Sequence, residues 1–397
     1  MYIENSSIQG LELANVALPI KNQKVESSGK GEAVVEEKSV EKEIESVIPK
    51  AKQTEKIFDP EGQLVHYLFN IEGVPSPKAA AFTTDGKEIW VTSLLNKKRG
   101  VFVFNALTGN YITDINLEDG GGVEIIFSSD GKKAYVSQME TAKVFEIDTA
   151  SKKILRTFDT KSAWTKILEF SSDEKKIFAA NWSGDDISEI DLESGKTLRR
   201  IPTVDTPRGL YTTKDGKYLY VAGFGRGEIE KIDLSTGKGK VIYKNNGAMR
   251  HMAADSEKGI LYVSDMGKNT IWKVSLDSDE VLKFAATDNN TNTIDLSPDK
   301  KILFVSCRGL NFSQDNYYVP GPEWGSVLLF DTETGEMLDA IVGGNQPTAL
   351  DVSPDGKYLV FSDFLDGRLK VYEIPSYEEL KNGNGGRSKV YKNELKK

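Results

Sequence analysis

The chain has 397 residues, 28% of them charged and 9% aromatic, and a formal net charge of -9. That is enough apolar material for a sizeable core, and the acidity argues against general nucleic-acid or anionic-membrane binding. No stretch approaches the roughly 18 consecutive apolar residues of a transmembrane helix, and one cysteine (Cys307) with two histidines (His66, His251) leaves no intramolecular disulfide, thiolate zinc cluster or multi-histidine metal site.

The first 20 residues show neither a basic n-region nor an apolar h-region, so no signal peptide is expected. Residues 3–57 lack aromatic side chains, and residues 21–56 interleave 8 lysines with 8 glutamates. Residues 1–56 therefore read as a charged linker, with a small β module, Ig-like and built on the alternation at 8–20, as the other reading. A strand is expected near residues 63–71.

From there a turn of the Ser-Pro-Asp-Gly-Lys type recurs, with its aspartate at Asp85, Asp130, Asp173, Asp215, Asp299 and Asp355. A degraded copy sits at 256–259. The first spacings are 45, 43 and 42 residues, and the last is 56. Each copy places an aromatic-Val strand after the turn, as at Trp90, Tyr135, Tyr220, Tyr262 and Phe304. A third strand then ends in a hydrophobe and an aspartate (Asp148, Asp191, Asp233, Asp331), followed by a Thr/Ser-Gly turn and a fourth strand. Period-2 alternation says strand, and the Asp-Gly and Thr-Gly pairs say tight turn. Four antiparallel strands repeated seven times predict an all-β fold, a seven-bladed β-propeller spanning 57–375. The last copy stops after its third strand, so the strand near 63–71 is expected to close the ring, with residues 378–381 as the alternative. Residues 376–397 form a basic tail that either folds back on the acidic body or stays solvated.

Copies such as residues 347–357 resemble the YVTN-type, surface-layer-like β-propeller repeat. The resemblance covers about 57–375, implies the fold, and says little of function because the shared residues are turn and packing positions. It also implies an extracytoplasmic location, at the periplasm or cell surface.

Loops after strands two and four carry the sequence variety and share one face. Counting back from the end of each first strand puts Lys78, Val123, Lys166, Arg208, Arg250, Asn292 and Thr348 at the mouth of the central channel on that face. Four are basic and none acidic, with Glu124 and His251 one position on. The expectation is an electropositive funnel for an anionic group, unless the cations pair with carboxylates of neighbouring blades. The extra residues of the sixth repeat, within 307–325, carry Arg308, Tyr317, Tyr318 and Trp324, a composition suited to a protein contact or to capping the channel. The favoured reading is a non-enzymatic protein-binding scaffold with no cofactor and no metal. The alternative is a lactonase-type hydrolase of an anionic sugar lactone, with Glu124 or His251 activating water. Single-stranded DNA on the basic mouth is the least favoured of the three.

Overall fold

The computed structural model describes residues 50–52, 60–94, 100–310 and 318–397. Six four-stranded antiparallel sheets and one five-stranded sheet form seven blades. Blades 1 to 6 cover residues 77–115, 125–159, 165–202, 207–244, 249–286 and 291–342, each running from the inner strand outwards. Blade 7 takes its three inner strands from 347–373 and its fourth from His66–Glu72, which pairs antiparallel from His66 against Glu373 to Glu72 against Arg368. The N-terminal strand thus closes the ring, and residues 378–381 lie instead in a short helix. A further strand, Lys50–Lys52, extends the same sheet. Apart from it, the segment expected to be linker or small module lies outside the described residues.

The repeat signature is a set of side-chain-held turns. In the Asp-Gly turns the Ser or Thr two residues earlier donates its hydroxyl to the aspartate, as Ser128 Oγ does to Asp130 Oδ1 at 2.8 Å. The same oxygen accepts the Lys132 backbone N–H at 3.0 Å. These bonds favour the ionised carboxyl and draw Asp130 and Asp215 down to about 2. The Thr/Ser-Gly turns work alike, with Asp191 Oδ1 accepting the Ser194 N–H at 2.8 Å and Gly195 at φ 71.

Blades are also stitched to one another close to the channel. The small hydroxyl residue on the second strand donates to a backbone carbonyl at the mouth end of the next blade's inner strand. Ser137 Oγ reaches the Lys166 carbonyl at 2.6 Å, Ser264 Oγ the Asn292 carbonyl at 2.7 Å, and Ser362 Oγ the Pro77 carbonyl at 3.0 Å. This hydroxyl therefore fixes the backbone from which the channel side chains project.

The tail folds back. Ser376 and Glu379 form a reciprocal capping box that starts the helix Tyr377–Asn382. A 3-10 turn, Tyr391–Glu394, follows. Leu380 and Tyr391 are wholly buried, Leu380 among residues of blades 6 and 7 and Tyr391 in the core beside Cys307 and Phe330. The second residue of the outer strand is an exposed aliphatic in other blades (Ile112, Leu155, Leu198, Leu282), whereas its blade 6 counterpart Leu338 is 5% exposed. Beside it Asp339 accepts backbone N–H groups from Leu64, Val65 and Arg387. One carboxylate so ties both ends of the chain to blade 6. Among the described residues, no helix is long and apolar enough to cross a membrane.

Candidate functional site

The seven inner strands enclose a central cavity of about 270 Å³. At its mouth end the wall includes Lys78 of blade 1, Arg208 of blade 4 and Arg250 of blade 5, each the second residue of its inner strand, with Glu124 of blade 2 and His251 of blade 5. Arg208 and Arg250 are buried and Lys78 half-buried. Blade 2 reaches this geometry through Gly121, where a Cβ would lie 2.2 Å from the carbonyl oxygens of Ser93 and Leu94. Only glycine allows that approach, which sets Val123 and Glu124 beside blade 1.

Burial raises the Glu124 carboxyl to about 7, against the opposing pull of Arg208 and Lys78. Burial and the positive fields of Arg208 and Arg250 lower His251 to about 4, so its ring is neutral at pH 7. Its backbone N–H donates to Ser264 Oγ at 3.0 Å, while its Nδ1 is buried without a hydrogen-bond partner.

Of the other expected mouth residues, Val123 and Thr348 also line the cavity, whereas Lys166 and Asn292 do not. Lys166 is not part of the cavity wall; its ammonium lies 3.7 Å from the Trp182 ring and 5.5 Å from that of Trp164. Trp182 in turn packs on Phe224 at 5.0 Å between ring centroids. Such a cation over an indole is held by the ring quadrupole as well as by packing. Arg308 is buried and donates to Gln346 Oε1. In the blade 6 insertion, Tyr318 packs beside Phe364, Val123 and Leu94 above the mouth, with Phe364 at 6.3 Å. Trp324 donates its backbone N–H to the Leu395 carbonyl at 2.7 Å, and Lys397 Nζ lies 4.5 Å over its ring. Tyr317 lies outside the described residues.

A layer at the far end of the cavity went unread in the sequence. Three residues beyond the mouth position stand Glu169, Asp295 and Asp351, all in the cavity wall. Each accepts a backbone N–H from the next blade: Glu169 from Thr212 at 2.9 Å, Asp295 from Val352 at 3.0 Å, Asp351 from Phe82 at 2.6 Å. The last of these bonds crosses the ring closure. The same counting that found the mouth, carried three residues further, would have found this layer.

Burial raises Glu169 to about 7 and Asp295 to about 6. Burial and the Asp295 charge raise Asp351 well above the ordinary carboxylate range, and the two side chains share a hydrogen bond. Because these folded-state values lie above the unfolded ones, the folded chain binds the protons more tightly. The stability they contribute is complete below about pH 4 and is lost as pH rises through 6 to 7. Thermal melts at pH 5 and pH 8 should therefore show a smaller alkaline loss for Glu169→Gln than for the parent chain. Equal losses would remove Glu169 from this account.

Residues 163–311, the third blade to the loop after the second strand of the sixth, match the model of the YNCE-like beta-propeller family. The chain is similar to the YNCE-like β-propellers. A segment of 81 residues is 53% identical to Antigen Lp49 of Leptospira interrogans, covering 20% of this chain and 18% of that relative. Among solved structures, the hydrazine synthase of Kuenenia stuttgartiensis superposes with a TM-score of 0.63 at 17% identity, over 76% of this chain and 96% of that chain. That likeness speaks to the fold alone. The YNCE-like match agrees with the surface-layer-like repeat that the turns and the aromatic-Val strands resemble.

Proposed function

We propose that the chain is a non-enzymatic binding protein, which presents the variable face of its propeller to a protein partner at or outside the cell envelope. The observation that carries this reading is the division of labour between the two faces. One repeats the same Asp-Gly and Thr-Gly turns, while the other gathers Trp164, Trp182, Phe224, Tyr318 and Trp324 on a rigid ring. Aromatic anchors on a rigid frame suit protein recognition because little conformational freedom is lost on binding. The relative named as an antigen is consistent with exposure to the outside. A photo-crosslinking residue at Phe224 should capture a discrete partner in the producing cells, whereas the same residue at Lys132 on the turn face should not. Equal labelling from both positions would sink the reading.

A second reading, hydrolysis of an anionic sugar lactone, is favoured by Glu124 at about 7 beside Lys78 and Arg208. A base of that kind would give a rate that rises through pH 7 and disappears in Glu124→Gln. Absence of turnover by the parent chain would end this reading without touching the first.

A further inference from the structure

Residues 395–397 return to the variable face and settle on the blade 6 insertion. They run antiparallel to residues 321–324, with Lys396 opposite Glu323. Trp324 donates its backbone N–H to the Leu395 carbonyl at 2.7 Å, and Lys397 donates its own to the Pro322 carbonyl at 3.2 Å. This is strand addition on a small scale. Main-chain bonds hold the segment, and alternate side chains are left to be read by what lies beneath them.

The side chains of this strap meet different surroundings. Leu395 is buried in the core that holds Cys307, Phe330 and Tyr391, whereas Lys396 stays exposed. Lys397 Nζ donates to the Gly321 carbonyl at 2.7 Å and to Asn345 Oδ1, and lies 4.5 Å over the Trp324 ring. Asn345 is oriented for this contact. Its Nδ2 donates to Asp366 Oδ1 at 2.6 Å and its backbone N–H to Asp366 Oδ2 at 2.8 Å, which leaves its side-chain oxygen for the ammonium. Glu323 is tied to the blade 5 to 6 loop, its Oε2 accepting from Asn289 Nδ2 at 3.0 Å. The seat of the cation is therefore made by blades 6 and 7 and the loop between them. Two oxygen acceptors and the face of an indole suit a lysine or an arginine.

We propose that the edge formed by residues 321–324 is a docking site for an extended segment of a protein partner, with an apolar residue followed two positions later by lysine or arginine. Residues 395–397 occupy the site in the unbound chain. The partner displaces this strap, takes over its two main-chain bonds and sets its own cation over Trp324. The proposal rests on the protein-binding reading above and specifies the partner's chemistry. A strap held in cis competes at an effective concentration on the order of millimolar, so a short free peptide gains the site once the strap is weakened.

The test uses the full chain labelled with 5-fluorotryptophan, whose five tryptophans report by fluorine NMR, Trp324 being assigned through Trp324→Phe. Lys397→Glu should shift the Trp324 resonance and leave that of Trp90 in place. An unmoved Trp324 resonance would overturn the proposal. The probe is the acetylated peptide of residues 393–397, Asn-Glu-Leu-Lys-Lys, titrated into folded Leu395→Ser/Lys397→Glu chain. It should return the Trp324 resonance to its parent position. A peptide ending in glutamate should bind about tenfold or more weakly, the loss expected for a charge-assisted bond. Equal binding of the two peptides, or no response to either, would overturn the docking site. A concentration-dependent dimer of the parent chain that Lys397→Glu abolishes would assign the site to a second copy and overturn it as well. A partner captured at Phe224 without peptide binding would remove this site alone, whereas peptide binding with no captured partner would remove the protein-binding reading.

Discussion

Deleting residues 1–74 is expected to leave a chain that does not fold to a stable monomer. The deletion removes the strand His66–Glu72, the fourth strand of blade 7, and exposes the edge of the strand Arg368–Glu373. It also removes Val65, Phe69, Ile71 and Val74 from the core, where each is at most 5% exposed. At about 1.5–3 kcal/mol per buried side chain, the four together are worth roughly 6–12 kcal/mol. That is comparable with the whole stability of a domain, about 5–15 kcal/mol. An unpaired, apolar edge strand adds a template for association. Size-exclusion chromatography and circular-dichroism melting should show aggregation or a broad, weak transition. Ile71→Ala gives a graded version, with an expected cost of about 2–5 kcal/mol. A monodisperse deletion variant that melts like the parent would mean the ring is closed by other contacts.

The second large effect is expected from the tail. Tyr391→Ala should destabilise the chain by about 3–5 kcal/mol, the range for emptying a buried aromatic site. Tyr391 is wholly buried in the cluster that holds Tyr262, Phe330 and Leu395, and its hydroxyl donates to Asp288 Oδ1 at 3.2 Å. Removing the ring therefore opens a cavity and strips a hydrogen bond from Asp288. Urea titration would read the loss, with Lys392→Ala as an exposed control expected to stay within about 0.5 kcal/mol. Asp339→Ala should behave like Tyr391→Ala, because the N–H groups of Leu64, Val65 and Arg387 would be left without their acceptor. A tail that merely brushes the surface would make Tyr391→Ala equivalent to Lys392→Ala.

The ring was legible in the sequence because its signals are local. Asp130 with Ser128, and Asp191 with Gly195, write each turn within a few residues, and the spacing of the turns then counts the blades. The register of the inner strands was equally readable, which is why Lys78, Arg208 and Arg250 were placed at the channel. Side-chain direction at that register was not. Lys166 has the same backbone position as Arg208, and both lie over the Trp182 ring, yet Arg208 lines the cavity and Lys166, held between Trp182 and Trp164, does not; the nearness of those rings depends on how loops fold in space. The tail misled for the same reason. Its charge suggested solvation, while the Ser376-to-Glu379 spacing, a visible capping box, marked the start of a folded element. Tyr391, an aromatic in a basic stretch, gave no local sign of the pocket formed for it by blades 5 and 6.

The stitch between the two ends has a consequence for the order of events during synthesis. The strand His66–Glu72 leaves the ribosome well before its partner Arg368–Glu373 and before the anchor Asp339, which lies 274 residues after Val65. The nascent chain must therefore carry an unpaired strand while six blades form behind it. The helix and turn that seal blade 6 follow that partner strand in the chain, so they dock only after blade 6 has been made. Closure is thus a late step, and the interval before it sets how long the growing protein depends on chaperones.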